Sequence, residues 1–184
     1  MVDPLIKQYV LNSERAIEVP IFLMVLLAHY GERILEVGNT LNMYTDYLKH
    51  IVLDKGEKYP GVINEDIEQY IPEKKYDCVI SVSTLEHIGH DGADNLDPEK
   101  IGRVIRHIKK DVLKKGGELI FSAPVGWNPD FDNLVRDGKF NWIFYYLHTG
   151  DVWRVSEKEV VMAQKYNTPH DFGNGLVIAS ILND

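Results

Sequence analysis

The feature that most restricts this chain is the stretch from Tyr76 to Ala123, in which two apolar runs flank one helical segment. The first run is Tyr76 to Val82 and the second Glu118 to Ala123. Between them, Pro98 to Lys115 carries Ile101, Val104, Ile105, Ile108, Val112 and Leu113 at the spacing of one helix face. Asp97 is its expected cap, Pro98 suits the first helical position and Gly116 ends it. Strand, crossover helix and strand within one βαβ length predict a parallel pair with a right-handed connection. Val79, Ile80 and Val82 do not alternate with polar residues, the pattern of a strand covered on both faces.

The remaining segments extend this layout. Arg33 to Val37 reads as a short strand stopped by Gly38, and Ile51 to Leu53 as a second stopped by Asp54, with a short helix expected around Leu41 to Lys49. Val62-Ile63-Asn64 is a third strand. Upstream, a helical region runs from Asn12 or Ser13 to Gly31, and Pro20 kinks or restarts it. Its apolar stretch, Val19 to Ala28, predicts a buried helix and is too short for a membrane span. Downstream, Asn128 and Pro129 open a short helix ending at Gly138, and Phe140 to Leu147 is an aromatic strand. Ser156-Glu157-Lys158-Glu159 is a capping box for a helix through Lys165, and Leu176 to Leu182 is a final strand. The order describes an α/β domain with an antiparallel edge at its carboxyl end.

Composition narrows the partners. At 184 residues the chain suits one domain, and 20 basic against 28 acidic residues leave a net charge of −8. A phosphate backbone is repelled on average, so no nucleic acid partner is expected. The single cysteine, Cys78, excludes an internal disulfide and a cysteine metal cluster. Met1 to Val10 lacks a basic stretch followed by an apolar run, so a cytoplasmic protein without membrane contact is expected.

In an open α/β sheet the ligand sits beyond the carboxyl ends of the strands, where strand order reverses. The residues there are Glu36, Gly38 and Asn39 after the first strand, Asp54 after the second, Glu65 and Asp66 after the third, and Ser83 to His87 after the fourth. Glu36 and Asp54 are 18 positions apart, close to the roughly 20 that separates a nucleotide-binding turn from its ribose-binding acid. The turn has one glycine, Gly38, where a dinucleotide fingerprint needs three, which argues against NAD or FAD. The competing reading is that Glu36 and Asp54 are solvent-facing strand ends and that Ser83 and Thr84 are turn residues.

The segments Ile34-Leu35-Glu36-Val37-Gly38-Asn39, Val52-Leu53-Asp54, Glu65-Asp66-Ile67, Tyr76 to Ile88 and Leu113-Lys114-Lys115-Gly116-Gly117-Glu118-Leu119 come in a telling order and spacing. Over Arg33 to Pro124 the chain resembles the class I S-adenosylmethionine-dependent methyltransferases. The resemblance implies a Rossmann-like doubly wound, mostly parallel seven-stranded sheet with an antiparallel C-terminal strand. It divides the single domain into a helical segment (1–31), a cofactor-binding core (32–124) and a C-terminal part with acceptor-side elements (125–184). It further implies that Gly38 and Asn39 approach the methionine part of the cofactor, with Glu36 near its ammonium group. Asp54 would bind the ribose hydroxyls, Asp66 and Ile67 would meet the adenine, and Ser83 and Thr84 are further cofactor-binding candidates after the fourth strand. Asn39-Thr40-Leu41 departs from the family, which has further glycines there.

The expected activity is methyl transfer from S-adenosylmethionine to a small-molecule or saccharide-like acceptor. The alternative is a non-catalytic nucleoside-binding module serving as a sensor or partner subunit. His87 is the candidate catalytic base for a hydroxyl acceptor, with Glu86 as its orienting partner. Arg15 and Trp127 are the candidate acceptor-binding residues; Arg15 either clamps an anionic acceptor or pairs with Glu18. Trp142 and Phe144 are expected in the core. His87, His90, Asp91, Asp94 and Asp97 are a dense polar cluster, but their spacing matches neither a zinc motif nor an EF-hand, so no metal is expected.

Overall fold

The computed structural model describes residues 13–45, 49–90, 96–167 and 172–184. Eight strands form one sheet. They are β1 (Ile34–Val37), β2 (Ile51–Leu53), β3 (Val62–Ile63), β4 (Tyr76–Val82), β5 (Leu113–Pro124), β6 (Trp142–Thr149), β7 (Val152–Val155) and β8 (Gly175–Leu182). Their order is β3-β2-β1-β4-β5-β8-β6-β7. The first five are parallel, and β8 runs antiparallel between β5 and β6. The doubly wound, mostly parallel architecture is therefore as expected, with strand order reversing between β1 and β4.

The sheet has eight strands where seven were expected. The addition is β7, which pairs Thr149 with Val152 and Tyr146 with Val155 across a two-residue turn. Gly150 in that turn has φ +63, a conformation open to glycine, and Gly150-Asp151 is itself a hairpin signal.

Four α-helices lie among the described residues: α1 (Arg15–Ala28), α2 (Lys100–His107), α3 (Pro129–Asp137) and α4 (Lys158–Met162). Helix α1 continues through Pro20 and buries one face, with Val19, Phe22 and Leu26 inward, while Met24 and Leu27 are 65% and 51% exposed. It is thus half-buried along its length rather than enclosed. No helix among the described residues is long and apolar enough to cross a membrane.

The stripe expected on the central helix is buried in full, from Ile101 to Leu113. The helix itself ends earlier than Gly116, because residues 108–112 widen into a π turn and Leu113 already pairs with Tyr76 on β4. Lys114 is drawn to Asp77 (Nζ–Oδ1 2.5 Å), and Asn183 after β8 donates to the Lys114 carbonyl (2.8 Å). Asp97 does not cap α2; its carboxylate takes Arg103 (2.7 Å) instead.

Two other local expectations change. Between β1 and β2 the described residues hold a 3-10 turn, Leu41–Met43, and residues 46–48 of the expected short helix lie outside the described residues. The capping box at Ser156 does not form, and α4 ends at Met162. Helix α3, by contrast, is opened as expected: Asn128 Oδ1 accepts the amides of Asp130 (2.9 Å) and Phe131 (3.2 Å).

One apolar cluster lies between the sheet and α2, α3 and α4; the other is covered by α1. Phe121 is central to the first, with its ring 5.9 Å from Phe131 and 6.2 Å from Phe140. Trp142 packs on the second cluster, but Phe144, on the same face of β6 with its ring 5.8 Å from that of Trp142, is 51% exposed. Cys78 is fully buried and burial pushes its thiol up to about 12. Phe121→Ala is expected to cost about 3–5 kcal/mol in urea unfolding, through a cavity its packed neighbours cannot close.

Candidate active site

The loops after β1, β2, β3 and β4 surround a cavity of about 360 Å3. Gly38, Asn39 and Thr40 line it from the first loop, Asp54 to Glu57 from the second, Glu65 to Ile67 from the third, and Thr84, His87 and Ile88 from the fourth. Of the candidate cofactor residues, Gly38, Asn39, Asp54, Asp66, Ile67 and Thr84 therefore converge on one space. Glu36 and Ser83 do not line it.

Each wall has a local cause. Gly38 has φ +90, and a Cβ there would stand 2.2 Å from Thr84 Oγ1, so the residue type lets the first and fourth loops touch. Asn39 donates to Glu57 and accepts from Asn42 Nδ2 (2.7 Å), linking the first loop to the second. Asp54 Oδ1 accepts the amides of Gly56 (2.7 Å) and Glu57 (2.8 Å), while Oδ2 accepts no hydrogen bond among the described residues.

Asp66 Oδ2 takes Lys100 Nζ at 2.8 Å, and Oδ1 takes the Glu68 amide at 2.9 Å. Burial opposes ionisation of Asp66, but these two partners hold its carboxyl below the usual range. The lysine comes from α2, a partner that no local motif announces.

Glu36 lies elsewhere than expected. It is fully buried, and its Oε1 accepts the amides of Thr40 (2.9 Å) and Leu41 (2.8 Å), while Oε2 meets buried His50. It shapes the first loop from behind instead of facing the cavity. Ser83, at φ +43, turns its hydroxyl to Glu18 Oε1 (2.6 Å), away from the cavity lining.

His87 lines the cavity with about half of its side chain exposed, and its ring packs edge-on against Trp127 at 5.4 Å. Glu86 is not its hydrogen-bonding partner: Oε1 is 3.8 Å from His87 Nε2. Trp127 also meets Tyr166 at 4.9 Å. Asn128 Nδ2 donates to the Glu86 carbonyl (2.9 Å), tying the loop that carries Trp127 to the one that carries His87. Arg15 pairs with Glu18 within α1 and does not reach the cavity.

A second polar group, not anticipated from sequence as a unit, lies where α1 meets the ends of β4 and β5. Glu18 Oε1 accepts from Ser83 and from Ser122 Oγ (2.7 Å). Glu14 and Glu86 are 6% and 2% exposed, and each has an Oε2 with no hydrogen-bond partner. Burial pushes both carboxyls up, that of Glu86 well above the usual range, and Glu18 adds to the effect on each.

No group of three or more metal-ligating side chains is found among the described residues. Asp91 and Asp94 lie outside the described residues.

Two outcomes follow from this geometry. Gly38→Ala should cost at least about 1–2 kcal/mol in thermal or urea unfolding, and Thr84→Ala should restore only the part due to contact, because the positive φ remains. A carboxyl raised by folding binds its proton more tightly in the folded chain, so stability falls as pH rises from the ordinary glutamate range through the raised value. Glu86→Gln should therefore be more stable than the parent at neutral pH and show a flatter profile in urea unfolding over roughly pH 4 to 8. Parallel profiles for the two proteins would contradict that sign.

No protein-family profile matches the sequence, and no curated protein matches it. Solved structures do. An N-methyltransferase, NodS, from Bradyrhizobium japonicum in complex with S-adenosylhomocysteine superposes with a TM-score of 0.57 at 12% identity, over 93% of this chain and 88% of that one. A possible histamine N-methyltransferase from Thermotoga maritima gives 0.57 at 14% identity, over 97% and 93%. An S-adenosylmethionine-dependent methyltransferase from Archaeoglobus fulgidus gives 0.52 at 15% identity, over 96% and 99%. At such identities the likeness concerns the fold, and the chain has the fold of the class I S-adenosylmethionine-dependent methyltransferases.

Proposed function

We propose that the protein transfers a methyl group from S-adenosylmethionine to a small-molecule acceptor. The observation that carries this reading is the convergence of four consecutive strand-end loops on one cavity at the point where strand order reverses. Its volume, about 360 Å3, suits a small organic ligand. The similar solved structures include one with S-adenosylhomocysteine bound, which supports the choice of nucleoside.

The donor set fits this cofactor. Asp54, Glu57, Glu65 and Asp66 outnumber Lys55 and Lys100 in the walls, and this excess of carboxylates favours a ligand with a sulfonium and an ammonium group. The first loop lacks the glycines that let a pyrophosphate approach, which disfavours a dinucleotide. Asp54, with one oxygen fixed by its own loop and the other uncommitted, would hold the ribose hydroxyls. Asp66 and Ile67 would meet the adenine, and Gly38 with Asn39 the methionine part.

When bound, S-adenosylmethionine supplies an electrophilic methyl group. The task left to the protein is alignment and exclusion of water. Gly38 and Thr84 form the contact between the first and fourth loops, and His87 stands at the edge nearest the aromatic loop around Trp127. We assign the acceptor side to Trp127, His87 and the first turn of α1. The buried thiol of Cys78 suits a reducing, cytoplasmic setting.

Titration calorimetry with S-adenosylmethionine, S-adenosylhomocysteine and NAD tests the reading. Both methionine-derived ligands should bind and NAD should not. Asp54→Asn, which keeps an oxygen for the loop amides, should weaken binding by about tenfold or more without loss of fold. Preference for NAD, or binding unaffected by the substitution, would overturn it.

A further inference from the structure

Resting on that reading, we propose that the acceptor is an amine, held as its ammonium by Glu14 and Glu86 at the first turn of α1, beside Trp127. Among the described residues the site contains three carboxyl groups, Glu14, Glu18 and Glu86, against one guanidinium, Arg15, and the other three act electrostatically on Glu86. Glu18 is satisfied within the protein by Arg15, Ser83 and Ser122. Glu14 and Glu86 are not. Each is more than nine-tenths buried and presents an oxygen with no partner.

A buried, unsatisfied carboxyl oxygen is costly unless something completes it. Three classes of small molecule can be compared. An anionic acceptor meets three acids and one base, and is repelled. A hydroxyl offers one donor and no charge, so it satisfies one oxygen and leaves the excess of carboxyl groups uncompensated. An ammonium brings up to three donors and a positive charge, and so matches both orphaned oxygens and the imbalance.

Aromatic surface supports the same choice. The Trp127 ring lies next to His87, and residues 127 and 128 are tied to the Glu86 backbone through Asn128. This bond holds the loop that carries Trp127 next to the loop that carries Glu86, and an aromatic ring there suits a cation. The start of α1 is also fixed, because Trp153 Nε1 donates to the Ser13 carbonyl at 3.0 Å.

The chemistry closes. An ammonium has no lone pair, so its proton must leave before the nitrogen can react, and the Glu86 carboxylate receives it. The nitrogen then forms the new N–C bond as the S–C bond breaks, the electron pair stays on sulfur, and the positive charge passes to nitrogen. The proton on Glu86 is released to solvent, giving one proton per turnover.

Calorimetric titration of the full chain, with and without saturating S-adenosylhomocysteine, tests the proposal with methylamine, benzylamine and putrescine against benzyl alcohol and benzoate. At least one amine should bind, with the alcohol and carboxylate at least about tenfold weaker, and Glu86→Gln and Glu14→Gln should each weaken the amine by about tenfold or more. S-adenosylhomocysteine binding should be unchanged in both variants, which separates loss of the subsite from loss of the fold. Absence of amine binding, equal binding of benzyl alcohol, or amine binding indifferent to both substitutions would overturn the proposal. Failure of S-adenosylhomocysteine alone to bind, with glutamate-dependent amine binding retained, would instead overturn the methyltransferase reading and leave the amine site standing.

Discussion

The buried carboxylate of Glu36 is the constraint on which the cavity depends. It collects the amides of Thr40 and Leu41 and faces His50, so one side chain satisfies the backbone of a loop that would otherwise enter the interior with unpaired donors. A glycine-rich loop turns by backbone freedom. This chain has only Gly38 available and turns the rest of the loop around an acid. Asn39-Thr40-Leu41, which departs from the family pattern in sequence, is the segment that the acid brackets.

The same economy appears in the other walls. Asp54 organises the second loop through two amides, Asp66 is anchored by Lys100 from α2, and Asn128 both opens α3 and joins the loops after β4 and β5. Charged and amide side chains take the structural part, and the apolar layers on either face of the sheet keep those loops in register. The excess of acid where α1 meets β4 and β5 is the exception. There Glu14 and Glu86 are buried with one oxygen each left unpaired, an arrangement unfavourable in itself.

Much of the fold was legible because its parts are local. The stripe on the central helix, the strand β4, the cap by Asn128 and the antiparallel closing strand each follow from spacing within a few residues. The failures have more than one cause. Leu113 leaves the helix because Tyr76, far earlier in the chain, pairs with it, whereas Asp97 gives up its cap to Arg103 within the same helical start, a local competition that spacing does not rank. Phe144 is exposed although Trp142 and Tyr146, on the same face of β6, pack on the cluster under α1, so strand spacing alone did not decide its burial. Strand β7 is different, since Gly150-Asp151 was a readable turn signal.

By itself the sequence determined the α/β class, the order of the strands and the set of strand-end residues from which a site could be drawn, because periodicity and turn chemistry act over one or two turns of chain. Tertiary structure decided which of those residues face a common space. Glu36 and Glu18 are both buried acids that serve the loops around them, Asp54 and Asp66 border the cavity, and Glu14 and Glu86 keep unpaired oxygens. All six are ordinary carboxylates in the sequence. Their roles differ through partners such as His50, Ser122 and Lys100, distant in the chain and brought close only when the sheet assembles.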